Sequence, residues 1–186
     1  MKGSHNTLTY GKPKHWYGWL LLPFWRCQTK DIAEQVASGI RAFDIRFVMD
    51  SPTDCHSAHG IIDLAANPLV ALSEIECRAA GSYIRVILER GGQSERAWFC
   101  DLCKRLPSLY PTLHFYEGIY KPMWTRIHIF PTEEARMAES NEQQHYGSHY
   151  NKWLGLIPRL WWFKHRYDKV DGEENDGIPI VFKDFI

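Results

Sequence analysis

Segments rich in β-branched and aromatic residues alternate along this chain with segments whose apolar residues recur at helical spacing. The strand-like segments are residues 2–5, 42–48, 57–62, 83–89, 113–119, 126–130 and 178–185. Such alternation is typical of a parallel α/β sheet or barrel. A full eight-stranded barrel takes roughly 250 residues, whereas this chain has 186. The pattern therefore predicts an α/β fold, a compact or trimmed TIM-type (β/α) barrel.

Three of the intervening segments have the period of amphipathic helices, namely residues 29–39, 67–80 and 94–106. The first is predicted to have Thr29 as its cap and to stop at Gly39. Residues 132–144 are polar enough to be either a solvated helix or a loop, and residues 168–177 indicate a flexible acidic loop. Neither an internal repeat nor an interdomain linker is apparent, so residues 1–186 are expected to form a single domain.

The charge balance and the cysteines exclude several classes of protein. Twenty-two basic and 22 acidic side chains cancel, so no overall field marks a nucleic-acid-binding protein or holds the chain on anionic lipid. Five scattered cysteines disfavour a disulfide framework. Cys100 and Cys103 lie in a predicted helix without a second ligand pair at zinc-site spacing, and are interpreted as core residues. We expect a monomer that recognises its partner at a local site.

The N-terminal sequence MKGSHNT lacks the apolar segment of a signal peptide. We therefore expect a cytoplasmic location, with secretion left open if a leader has been removed. The longest apolar run, residues 19–24, is far shorter than the ~20 residues that cross a bilayer. A soluble protein is the expectation.

Three short polar motifs accompany the predicted strands: GSHNT at residues 3–7, FDIR at residues 43–46 and AHG at residues 58–60. Because the carboxyl ends of barrel strands converge on one face, we expect His5, Arg46 and His59 in one pocket. Cleavage of a phosphodiester needs a proton acceptor, a proton donor and positive charge beside the phosphate. Two imidazoles and a guanidinium supply that set. Taken singly, each motif also fits an ordinary turn or a buried Asp44–Arg46 ion pair.

The motifs SHNT, GIRAFDIRF and AHG resemble, in order and rough spacing, the X-domain pattern of the phosphatidylinositol-specific phospholipases C. The C-terminal sequence IPIVFKDFI resembles the closing strand of that family, so the resemblance spans nearly the whole chain. It implies cleavage of an inositol phospholipid to a cyclic inositol phosphate and diacylglycerol. It implies that His5 is the general base, oriented by Asp184, and that His59 is the general acid. Arg46 would stabilise the phosphate, with Asp44 beside it in the catalytic set.

The resemblance also bears on a metal. Calcium-dependent members of the family hold the ion at the positions of Asn6, Asp44 and Glu89, and their further acidic ligand corresponds to Arg46. Metal-free bacterial members carry arginine there, and a guanidinium fills the place of the cation, so no metal or cofactor is expected. Asn6 and Glu89 depart from the Asp and Lys of the metal-free members, which leaves a weak calcium site open. Otherwise Asn6, Glu89 and Glu117 are candidates for substrate binding, Glu117 from its position alone.

Two aromatic segments, residues 15–25 and 160–167, hold five of the eight tryptophans. Next to lysine and arginine, they suit a rim in transient contact with a lipid interface, and core packing is the alternative. His145 and His149 are not expected to be a metal pair, because Gly147 between them weakens a helix. His56 alternates away from His59 along a strand and is left out of the catalytic set.

Two other functions fit the same residues. One is a phosphodiesterase that acts on a glycerophosphodiester or on another lipid headgroup. The other is a barrel that binds inositol phosphate or a membrane without catalysis. The presence of both histidines and of the arginine disfavours the second.

Overall fold

The computed structural model describes residues 2–116, 143–145 and 181–183. Its strands are β1 Lys2–Ser4, β2 Ala42–Met49, β3 Cys55–His59, β4 Ile62–Leu64, β5 Tyr83–Leu88, β6 His114–Tyr116, β7 Gln143–His145 and β8 Val181–Lys183. Its helices are α1 Gly18–Trp25, α2 Ile32–Ala37, α3 Pro68–Arg78 and α4 Gln93–Leu109, and a 3-10 helix spans Thr7–Tyr10.

Six of these strands form a parallel sheet in the order β7, β8, β1, β2, β5, β6. Helices connect β1 to β2, β2 to β5 and β5 to β6, as parallel pairing requires. The predicted α/β class is confirmed. Within the described residues no strand joins the outer strands β6 and β7, so the sheet is open there and a closed TIM-type barrel is not seen. The prediction of one domain over residues 1–186 stays a prediction.

The predicted third strand, residues 57–62, is wrong as a single element. The chain reverses at Gly60 and Ile61, so that β3 and β4 form an antiparallel hairpin. Gly60 adopts a φ of 58°, a left-handed conformation that glycine reaches without steric cost. β3 joins the main sheet only through the pairs Val48–His56 and Met49–Cys55 at the end of β2. The hairpin therefore extends beyond the parallel sheet.

The helix starts follow from local capping. α2 begins after Asp31 rather than at Thr29, because the Asp31 carboxylate accepts a hydrogen bond from the Glu34 amide at 2.8 Å and the Glu34 carboxylate accepts one from the Asp31 amide at 3.0 Å. α3 begins at the predicted place, where the Asn67 side chain accepts from the Leu69 amide at 2.8 Å. The aromatic segment at residues 18–25 forms α1, for which the sequence predicted no element.

The hydrophobic core lies between the sheet and the helices. Phe43, Phe47 and Phe99 are among its largest fully buried side chains, and the rings of Phe47 on β2 and Phe99 on α4 are 5.5 Å apart. Cys103 is buried on α4, as the core interpretation of that helix predicted. Among the residues that the structure describes, no helix has the length and apolar character needed to span a bilayer.

Several predictions fall on other parts of the chain. β6 and β8 lie within the predicted strands at residues 113–119 and 178–185, which are confirmed as far as they are described. Residues 143–145 form a strand, so the prediction of a helix or loop is wrong at that end of residues 132–144. The strand at residues 126–130, the acidic loop, the second aromatic segment and His149 lie outside the described residues.

Candidate active site

His5 lies in the turn that follows β1, at the carboxyl end of that strand. Its carbonyl accepts a hydrogen bond from the Gln28 side chain at 3.0 Å. The next residue, Asn6, takes a left-handed conformation with φ of 48°, which asparagine tolerates better than most residues. This turn directs the backbone N–H of Asn6 at the Asp44 carboxylate, with the nitrogen 3.0 Å from Oδ2. The turn and β2 are thereby joined directly.

Asp44 is the buried anion of the site. One of its carboxylate oxygens, Oδ2, accepts from the guanidinium of Arg46 at 3.1 Å and from that of Arg85 at 2.9 Å. Asp44 on β2 and Arg85 on β5 are register partners, so strand pairing alone brings them together. Burial would raise the pKa of Asp44, but the guanidinium groups of Arg46 and Arg85 hold it well below its ordinary value. Asp44 is therefore ionised at neutral pH.

Arg46 connects the other groups. Its guanidinium donates to Glu89 Oε2 at 2.9 Å and lies 2.9 Å from His5 Nε2. Burial would lower the pKa of Arg46, but the Asp44 and Glu89 carboxylates raise it, so the side chain stays cationic. Because a guanidinium can only donate, His5 Nε2 accepts this hydrogen bond through its lone pair. Nε2 of His5 is thus unprotonated in this arrangement.

His59 is the last residue of β3. Its Nδ1 lies 2.7 Å from the carbonyl oxygen of Trp25 and 3.6 Å from the Cys27 sulfur. A carbonyl only accepts, so Nδ1 carries a proton and Nε2 is left for proton exchange. Burial and the charge of Arg46 together hold the pKa of His59 well below 6.5. The imidazole is therefore neutral at neutral pH.

The two imidazole rings lie 6.2 Å apart, centroid to centroid, with their planes at 85°. As expected from the sequence, distant parts of the chain bring His5 and His59 close together. The element that carries His59 differs from the expected one. His59 arrives on an antiparallel hairpin rather than at the end of a parallel strand. His56 lies on the same strand but contacts Asp50 and Asp63 instead, outside the cluster.

Arg85 is a member of the cluster that the sequence analysis missed. It is buried, and it lies next to Asp44 in a strand, YIRVIL, whose other residues are apolar or aromatic. A single arginine in an otherwise apolar strand indicates a buried ion pair, because a buried cation requires an anionic partner. This signal was present in the sequence. Among the described residues, the cluster pairs two arginines, Arg46 and Arg85, with two carboxylates, Asp44 and Glu89. Their formal charges cancel.

No protein-family model matches this sequence, and no curated protein matches it either. Solved structures do. The phosphatidylinositol-specific phospholipase C from Listeria monocytogenes gives a TM-score of 0.61 at 15% identity, over 100% of this chain and 87% of that one. A double mutant of the phosphatidylinositol-specific phospholipase C from S. aureus gives a TM-score of 0.61 at 11% identity, over 100% and 84% of the two chains. This chain has a phospholipase C-like fold.

At such identities the likeness concerns the fold alone, and it agrees with the resemblance read from the sequence motifs. In this phospholipase C-like fold, the candidate cluster gathers residues from the turns after β1 and β5, from β2 and from the β3–β4 hairpin. Glu117 and Asp184 lie outside the described residues. Their assigned roles stay predictions, as do the catalytic roles of the residues within the cluster.

The donor set fits a calcium ion poorly. A guanidinium, that of Arg46, already contacts the carboxylates of both Asp44 and Glu89, two of the three possible ligands. The third, Asn6, is buried, and within residues 2–116, 143–145 and 181–183 neither its side-chain oxygen nor its side-chain nitrogen has a hydrogen-bond partner. In the part of the chain that the structure describes, no group of three or more histidine, cysteine, aspartate or glutamate side chains could hold a metal ion.

Proposed function

We propose that this chain is a phosphodiesterase that cleaves phosphatidylinositol, or a related phosphodiester with a hydroxyl beside the phosphate, by acid–base catalysis between His5 and His59. The observation that carries the proposal is the pair of imidazoles 6.2 Å apart, one of them bonded to the guanidinium of Arg46. That spacing suits two proton-transfer groups on either side of one phosphate. The phospholipase C-like fold supports the same class of reaction.

In the proposed reaction, the Arg46 guanidinium moves from His5 Nε2 to a phosphate oxygen, and the freed Nε2 takes the proton of the substrate hydroxyl, whose oxygen attacks phosphorus. The bond between phosphorus and the glycerol oxygen breaks, and His59 gives that oxygen a proton from Nε2. The products are a cyclic inositol phosphate and a diacylglycerol. Attack from within the substrate avoids much of the entropic cost of a bimolecular step. Arg46 stabilises the charge on the phosphate oxygens, and Asp184 is proposed to orient His5.

The protonation state of the free site adds one requirement. His59 is neutral there, yet it must carry a second proton to act as the acid. The negative charge of a bound phosphodiester raises the pKa of a neighbouring imidazole. We therefore propose that substrate binding draws one proton onto His59.

We also propose that the reaction needs no metal ion. Arg46 lies between the two carboxylates, where it supplies a fixed positive charge beside the phosphate. In this arrangement Asp44 and Glu89 hold the guanidinium. Asn6, whose buried side-chain amide has no hydrogen-bond partner among the described residues, is proposed to contact the substrate instead.

A lipid surface is the proposed site of action. Trp16 is exposed just before α1, Trp19 and Leu20 are exposed in its first turn, and Ile61 is exposed at the tip of the β3–β4 hairpin. The opposite end of α1 reaches the site, because the Trp25 ring lies 5.5 Å from that of His59. Exposed aromatic and aliphatic side chains of this kind enter the interfacial layer of a bilayer. This apolar rim would place the site at the headgroups.

Incubation with phosphatidylinositol vesicles tests the proposal, with the phosphorus products read by nuclear magnetic resonance in the presence and absence of a calcium chelator. We expect a cyclic phosphate in both conditions. His5→Ala and His59→Ala should each lower turnover by about 10²–10⁴-fold, the usual contribution of one acid or base. His114→Ala is the matched control, because His114 is exposed on β6 and pairs with Tyr83 at the opposite end of β5.

Normal turnover in either catalytic variant would refute the assignment. Loss of activity with chelator would support the calcium site instead. A product without a cyclic phosphate would point to a different phosphodiesterase, and vesicle binding without cleavage at any pH would support the non-catalytic alternative.

A further inference from the structure

Two consecutive residues after β5 hold the backbone of Gly60 from both sides. The Glu89 carboxylate accepts a hydrogen bond from the Gly60 amide at 2.7 Å. The Arg90 guanidinium donates one to the Gly60 carbonyl at 2.6 Å. Gly60 directly follows His59. These contacts therefore hold the two peptide groups that flank Gly60, the first of which joins it to the proposed general acid.

Arg90 also crosses the hairpin. Its second terminal nitrogen contacts the carboxylate of Asp63 on β4. A planar guanidinium holds two acceptors at fixed positions, which the single ammonium of a lysine does not. Asp63 is itself anchored, because His56 Nε2 lies 2.9 Å from the same oxygen. Arg90 thus joins the turn to a strand residue that is already fixed.

The hairpin needs such support for a topological reason. Among the strands that the structure describes, β3 pairs with the main sheet only through Cys55 and His56, at the end of β2. From Ser57 to His59 the described partner of β3 is β4, and not a strand of the parallel sheet. The segment that carries His59 is therefore fixed to the sheet mainly through side chains.

We propose that Arg90 is a positioning residue that fixes His59 relative to Arg46, an inference that rests on the proposed function. Glu89 joins Gly60 to Arg46 on the inner side, since its other oxygen contacts the Arg46 guanidinium at 2.9 Å. Arg90 holds Gly60 on the side away from Arg46, through the Gly60 carbonyl and Asp63. With one of the two removed, the turn is free to rotate about the other, and a displacement of about 1 Å at a catalytic group costs up to about 10²-fold in rate.

The test compares Arg90→Gln and Arg90→Lys with Arg78→Gln. Arg78 is the matched control, because it also donates to a carboxylate, Glu74 at 2.8 Å, but on the exposed face of α3. In the vesicle assay we expect kcat of Arg90→Gln to fall about tenfold, with KM changed by less than about twofold, because proton transfer is misaligned while binding is retained. Arg90→Lys should lie between Arg90→Gln and the wild type, and Arg78→Gln should match the wild type.

Hydrogen exchange at the Gly60 amide provides a readout that does not need turnover. In the wild type this amide is bonded to Glu89; in Arg90→Gln it should exchange faster, because the turn is held on one side only. Unchanged kcat in Arg90→Gln, unchanged Gly60 exchange, or an equal loss in Arg78→Gln would overturn the proposal.

The outcomes separate this inference from the function on which it rests. If Arg90→Gln does not fold, Arg90→Lys decides, and wild-type kcat in that variant would reject the positioning role. If the wild type cleaves no phosphodiester, the proposed function fails and the catalytic part of the inference with it. The exchange rate at Gly60 then still decides whether Arg90 holds the turn.

Discussion

The Asp44 carboxylate accepts hydrogen bonds from three segments of the chain. The donors are the backbone N–H of Asn6 after β1, the side chain of Arg46 on β2 and the side chain of Arg85 on β5. Its removal would leave two guanidinium groups buried with less counter-charge. Losing one partner of a buried ion pair costs about 3–5 kcal/mol, far more than the pair itself contributes relative to an apolar replacement. We therefore expect folding to depend strongly on Asp44.

We expect Asp44→Asn to lower the free energy of unfolding at pH 7 by about 3–5 kcal/mol, measured by urea denaturation. The folded-state pKa of Asp44 lies below the unfolded value of 3.8. Its stabilising contribution is therefore fully present above pH 3.8 and is lost as the pH falls through the lower, folded value. The difference in the free energy of unfolding between the wild type and Asp44→Asn should therefore become smaller as the pH falls below 3.8. Asp101→Asn, at an exposed pair with Lys104, is the control and should change little.

His59 permits a direct titration. Burial and the charge of Arg46 favour its neutral form, so its carbon-bound ring protons should titrate below pH 6.5 in the free protein. Arg46→Gln removes one of these causes and should raise the pKa of His59. Arg41→Gln is the control. Arg41 directly precedes β2 and donates to the Val36 carbonyl, so its replacement should leave the pKa of His59 unchanged. A His59 midpoint at or above 6.5 in the wild type would contradict the electrostatic description of the site.

The β3–β4 turn has a steric requirement as well as a backbone one. A Cβ atom on Gly60 would lie 3.2 Å from the Trp25 ring, whereas one on Gly81, which has a similar positive φ of 81°, would meet nothing within 4 Å. Gly60→Ala and Gly81→Ala should each cost roughly 1–2 kcal/mol in stability because of the left-handed backbone. Only Gly60→Ala should also lower turnover, by displacing Trp25 from His59. Equal turnover in the two variants would contradict this description of the turn.

The sequence predicted the elements that have local signals. Their β-branched and aromatic content located β2 and β5, and the helical spacing of its apolar residues located α3. The β3–β4 hairpin was missed because residues 57–62 read as one continuous strand, and only the positive φ of Gly60 divides them. α1 was missed because its residues are apolar almost all round and give no helical period.

The same limit applies to the site. His5, Asp44, Arg46 and His59 were predicted as site residues because they stand in recognisable motifs within or beside the predicted strands. The carbonyl of Trp25 carries no side-chain signal, and its role beside His59 depends on where α1 ends. Such contacts depend on tertiary packing and are not encoded in a short stretch of sequence.

At the scale of the whole molecule, the apolar rim predicts an effect on membrane binding that is separate from catalysis. Leu20 on α1 and Val70 on α3 are equally exposed, at 67% and 66%. We expect Leu20→Ser to weaken vesicle binding by roughly fivefold to tenfold, since burial of such a side chain contributes about 1.5–3 kcal/mol at most. Val70→Ser should bind as the wild type does, in a co-sedimentation assay. Cleavage of a water-soluble phosphodiester should be the same in both variants, and equal loss of vesicle binding would refute the rim.

Each buried arginine of the described cluster is neutralised by a carboxylate, and the chain as a whole carries equal numbers of acidic and basic residues. A diffusing anion is therefore not attracted from a distance, and its rate of encounter depends little on ionic strength. For the lipid substrate proposed above, what remains is a search along the membrane surface that displays it. Under the proposed function, the protein would gain speed from staying on that surface between turnovers and not from long-range attraction in solution.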